Sequence, residues 1–96
     1  MRYIELKIGD KVITNQVKIE NTLRSEGFYW LIDSEIEKSK IEIRNKTLIW
    51  NDGIYYSGNW HYGIFKSGVF FGKWENGIFE NGEFKGTWKS GINKLI

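Results

Sequence analysis

Tyr3-Ile4-Glu5-Leu6-Lys7-Ile8 alternates apolar and polar residues, which predicts a strand with Ile4, Leu6 and Ile8 on one face. Gly9-Asp10-Lys11 reads as a turn into a second apolar stretch, Val12-Ile13 and Val17-Lys18-Ile19. Asn21 to Gly27 is polar and reads as loop, with room for one short helical turn. Phe28-Tyr29-Trp30-Leu31-Ile32 is a continuous apolar run and reads as a strand, and Lys40-Ile41-Glu42-Ile43-Arg44 alternates again. β-Branched residues dominate, and no long segment carries a 3.6-residue apolar period. Residues 1–45 are therefore expected to form a β cap on whatever follows.

From Trp60 the pattern becomes a repeat of 14 residues. Trp60, Trp74 and Trp88 share a column, as do Gly63, Gly77 and Gly91, and Ile64, Ile78 and Ile92. Phe65 matches Phe79, Phe70 matches Phe84, Gly68 matches Gly82, and Gly58, Gly72 and Gly86 fall together. Trp50-Asn51-Asp52-Gly53 and Tyr55-Tyr56-Ser57-Gly58 carry the aromatic-x-x-Gly beat backward. Two roles follow for glycine. Lys66-Ser67-Gly68, Glu75-Asn76-Gly77 and their sisters read as hairpin turns that need a left-handed residue. In Tyr56-Ser57-Gly58-Asn59-Trp60 residues two apart share a face, so Gly58 would lie between two rings and be covered by an aromatic of the next repeat.

Composition sharpens this picture. The chain of 96 residues has no cysteine, no proline and no alanine, but 14 isoleucines and 11 lysines, a usage that looks like AT-rich coding. Such bias should dilute glycine and tryptophan, yet there are 11 and five, mostly inside the repeat, so they serve the scaffold. One domain is expected, with a cap over 1–45 and a repeat region over 46–96. The first residues lack an apolar core of signal-peptide length, and no run approaches a membrane span. A cytoplasmic protein is the expectation, in the host cytoplasm if a phage encodes it.

The segments Tyr56-x-Gly58-x-Trp60-x-x-Gly63, Phe70-x-Gly72-x-Trp74-x-x-Gly77 and Phe84-x-Gly86-x-Trp88-x-x-Gly91 resemble the core of the MORN repeat. They are also similar to the aromatic-x-x-Gly pentad arrays of bacterial and phage proteins. The resemblance covers about half the chain and implies an all-β fold of stacked hairpins that binds proteins. An antiparallel meander of aromatic/Gly hairpins is thus the expected architecture. A small three-sided β-solenoid is the alternative. It is disfavoured because a five-residue side spans only ~16 Å, and one Trp with two Phe per layer looks too large for the triangle.

Little in the sequence points to catalysis. His61 is the only histidine and falls in a turn position filled by Glu75 and Lys89 in the sister repeats. No triad, zinc set or phosphate loop accompanies it. Glu75, Glu80 and Glu83 read as a solvated turn surface. No enzyme activity, metal or cofactor is expected. Binding is the better reading. Phe71 breaks its column, which holds Ser57 and Lys85, and Lys73 and Lys85 flank it. An exposed Phe71 would anchor a protein partner or stack on a base, unless the N-terminal half covers it. Tyr62 and His61 are further candidate binding residues, and Tyr55 and Tyr62 could stack on a sugar. The favoured function is a non-catalytic protein-interaction module, of a size that suits a phage-encoded inhibitor or adaptor acting on a bacterial protein. Single-stranded nucleic acid or glycan binding is the alternative, weakened by a net charge of only +2. The last repeat degenerates at Asn93-Lys94-Leu95-Ile96, which reads as a cap or as an edge open to homodimerisation.

Overall fold

The computed structural model describes residues 1–95, so Ile96 of the expected terminal cap lies outside the described residues. Strands dominate, and the repeat winds into a small β-solenoid of about three turns. Strands β3 (Glu35–Arg44) and β4 (Thr47–Ser57) form a hairpin, followed by eight two-residue strands. These are β5 (Asn59–Trp60), β6 (Ile64–Phe65), β7 (Val69–Phe70), β8 (Lys73–Trp74), β9 (Ile78–Phe79), β10 (Glu83–Phe84), β11 (Thr87–Trp88) and β12 (Ile92–Asn93). They stack as three parallel ladders: β5-β8-β11, β4-β6-β9-β12 and β4-β7-β10. Among the described residues every pairing between repeats is parallel. The solenoid is therefore the architecture and the antiparallel meander is not formed.

The core explains why three large rings fit one layer. In the second layer Phe65, Phe70 and Trp74 meet edge to face, with centroids 5.8, 5.4 and 6.4 Å apart. Trp50, Tyr55 and Trp60 repeat the arrangement in the first layer at 5.8, 5.8 and 6.2 Å. Along the solenoid the rings stack nearly parallel instead: Tyr55 on Phe70 at 4.7 Å, Phe65 on Phe79 at 4.9 Å, and Trp60 on Trp74 at 5.1 Å. Each such aromatic pair contributes ~0.5–1.5 kcal/mol beyond its buried area. Edge-to-face contact needs less room than three rings laid flat.

Glycines 58 to 91 all lie in bends between the short strands, so both columns expected to play different roles turn corners. Gly53 bends β4 so that one strand supplies two sides of the first coil, with Trp50 on one and Tyr55 on the next. It has φ 121°, and a Cβ there would come within 2.7 Å of the Lys38 carbonyl oxygen. β3 follows the bend through an irregularity at Lys38, which takes φ 52°.

The N-terminal half departs from the expected β cap. Strands β1 (Tyr3–Ile8) and β2 (Lys11–Ile13) form as expected, but Gln16–Ser25 is helix α1 and Tyr29–Ile32 is a short helix α2. Asn15 caps α1 by accepting from the Lys18 N–H at 3.0 Å, and Ile19 and Leu23, one turn apart, bury the inner face. With only two apolar residues facing inward, this helix leaves little periodic signal. The chain reverses at Gly27, and the Phe28 carbonyl accepts from the Leu31 and Ile32 N–H groups to start α2. Arg2 closes its other end, donating to the Ile32 and Ser34 carbonyls at 2.9 Å each. In β1 a bulge between Tyr3 and Glu5 turns Tyr3 and Leu6 inward, leaving Ile4 and Ile8 only half-buried. Beyond the reach of β2, the Gln16 amide continues the ladder: it accepts from the Tyr3 N–H at 3.0 Å and donates to the Tyr3 carbonyl at 2.8 Å.

The cap thus covers all three sides of the first coil. β3 lies along two of them, and α2 lies on the third, with Trp30 edge-on to Trp60 at 5.1 Å. No helix among the described residues is long and apolar enough to cross a membrane.

Candidate interaction surfaces

Because β4 pairs Ile54 with Val69 and Tyr55 with Phe70, while β5 pairs Trp60 with Trp74, the first coil is one residue longer than the second. That extra residue shifts the column at one corner. Phe71 stands over Tyr56 rather than Ser57, and the two rings stack at 6.1 Å and 7°. The expectation that Tyr56, Gly58 and Trp60 share a face fails for the same reason: Tyr55 points inward and Tyr56 outward. Tyr56 and Phe71 are 43% and 44% exposed, so the N-terminal half does not cover Phe71.

Two residues back, Ile54 and Val69 face outward beside these rings and are half-buried. Together the four side chains form one apolar patch across two coils. Its rim is charged. The Tyr56 hydroxyl donates to Glu37 at 3.1 Å, which raises the phenol's pKa. On the other border Lys85 pairs with Glu83 at 3.4 Å and holds its Nζ 6.0 Å from the Phe71 ring centre. Lys73 lies around the corner on the next side, 3.9 Å from Glu75. Of the residues singled out from sequence, the structure brings Phe71 and Lys85 together, while Lys73 belongs to the neighbouring side.

His61 and Tyr62 occupy a different corner, where the first coil meets the cap. The His61 ring stacks on Trp30 at 5.6 Å and 4°, and Tyr62 leans on Phe28 and Trp30 at 5.9 Å each. Tyr55, a candidate sugar platform, is fully buried in the first aromatic layer. Its hydroxyl donates to Ser34 Oγ, which in turn donates to the Trp30 carbonyl at 2.7 Å, and burial pushes the phenol up to about 12. Between α2 and β5 opens a cleft of about 380 Å³ lined by Tyr29, Trp30, Asp33, Ser34, Gly58, Asn59 and His61. Of the binding residues singled out from sequence only His61 lines this cleft, because its two walls come from segments far apart in the chain.

Two further features are topological. Ile49, Ile64, Ile78 and Ile92 stand in register on the outside of one ladder, from buried at the cap to 56% exposed at the far end. At that end β10, β11 and β12 are the outermost strands among the described residues. Comparison with family models, with curated proteins and with solved structures gave no match.

Proposed function

We propose that this chain is a non-catalytic protein-interaction module, and that its partner seats on the patch of Ile54, Tyr56, Val69 and Phe71. The observation that carries this reading is the stacked, half-exposed Tyr56–Phe71 pair set among apolar neighbours and rimmed by Glu37, Glu83 and Lys85. Energetic anchors of protein interfaces are aromatic residues in an apolar centre with a polar rim that excludes water. The rings are also held in place before any partner arrives, which lowers the entropy lost on binding. An inhibitor or adaptor acting on a bacterial protein is the form such a module would take.

Nucleic acid suits this patch less well. Lys85 and Lys73 are each engaged by a carboxylate, and Glu37 and Glu83 would repel phosphate at the border. The two readings differ in salt dependence. Phosphate-driven binding weakens steeply as salt rises, whereas an aromatic anchor tolerates it. The test is quantitative capture by wild type and by a Phe71→Ser/Lys85→Glu variant, whose positions are exposed and leave the core intact. Salt-tolerant capture that the variant loses supports the reading. Capture that vanishes with salt or nuclease opposes it.

A further inference from the structure

The cleft between α2 and β5 lies on a different side of the solenoid from the aromatic patch, and its chemistry is different. One wall is Tyr29 and Asp33, one helical turn apart on α2. The facing wall is Asn59 and His61, which point outward from either side of Trp60. Tyr29 is 56% exposed, so its ring is available for stacking. Asp33 carries the only formal charge in the lining, and no lysine or arginine lines the cleft to neutralise it. Its carboxylate is exposed at the carbonyl end of α2, whose Ile32 and Ser34 carbonyls are held by Arg2 from outside the cleft lining.

We propose that this cleft is a binding site for an arginine side chain of a protein or peptide. A guanidinium is planar and presents parallel N–H donors, so it can pair with the Asp33 carboxylate while its face lies on the Tyr29 ring. The Asn59 side-chain carbonyl adds a neutral acceptor on the opposite wall. A carboxylate one helical turn from an exposed aromatic ring, in a lining that holds no lysine or arginine, favours a cation over an anion. Trp30 closes the site from behind: its ring is held between His61 and Trp60, so the pocket is formed before the ligand arrives.

The experiment is an NMR titration of the full chain with N-acetyl-arginine amide, and in parallel with the citrulline analogue, which has the same shape but no charge. Arginine amide should shift the Trp30 indole and Asn59 side-chain resonances, while citrulline amide should bind about tenfold more weakly. Asp33→Asn should lower the affinity for arginine amide about tenfold, and Tyr29→Ala several-fold, with the rest of the spectrum unchanged to show that the fold is kept. No shift at tens of millimolar arginine amide would overturn the proposal. So would equal binding of citrulline amide, or undiminished binding by Asp33→Asn. Because Tyr56 and Phe71 lie outside the cleft, their substitution should leave this titration unaltered.

Discussion

Single residues set the geometry of this protein through two opposite properties, the absence of a side chain and the burial of a large one. Gly77 shows the first. It has φ 120°, and a Cβ there would come within 2.6 Å of the Gly63 carbonyl oxygen in the coil below. Gly77→Ala should therefore cost ~3 kcal/mol, the upper range for a strained backbone, read as a lowered urea midpoint. Tyr3 and Tyr55 show the second. Burial keeps both phenols protonated and pushes their pKa values from the ordinary 10.0 up to about 12. The folded state thus holds these protons more tightly than the unfolded chain. Stability linked to them is complete below pH 10 and is lost as pH rises through about 12. A phenolate absorbance titration should show these two tyrosines ionising only at about pH 12, together with unfolding.

At the level of elements, the sequence announced the repeat but not its winding. The tryptophan and phenylalanine columns name the inner positions correctly from Phe65 onward, because each coil repeats the same three-ring layer, whereas the glycine columns mark its corners. The choice between meander and solenoid turned on volume, and three rings do fit one layer by meeting edge to face at 5.8 and 5.4 Å. The one-residue excess of the first coil hid the Tyr56–Phe71 stack, since a fixed period places Ser57 under Phe71. Phe71 itself was still legible as an apolar residue in a polar column. The two helices were the least legible elements. α1 has two buried apolar residues, and α2 is a four-residue turn held from outside by Arg2, which no local pattern records. Arg2→Ala should remove those two carbonyl partners and the 3.2 Å ion pair with Glu20, costing ~1.5–3 kcal/mol for hydrogen bonds to a charged group. Faster hydrogen exchange confined first to 28–34 would be the signature.

For the molecule as a whole, stacking makes it nearly one-dimensional. The seven-stranded path from β12 to β2, at ~4.8 Å per strand, accounts for most of the 35 Å long axis. Stability should then accumulate coil by coil from the cap. Removing residues 80–96 deletes Phe84 and Trp88 but leaves two complete aromatic layers, so the shortened chain should fold with a lower urea midpoint and retain its near-UV circular dichroism. Removing residues 1–34 strips α2 and Trp30 from Trp60 and should abolish folding. The open end beyond β10, β11 and β12 is where a homodimer would form. The docking surface proposed above is instead the Tyr56–Phe71 patch on the side. It is tested most directly by comparing wild type with the Phe71→Ser/Lys85→Glu variant as baits in extract of the source organism, at low and high salt. Wild type should capture a protein at both salt concentrations, and the folded variant should lose it. A partner that the folded variant retains would contradict it.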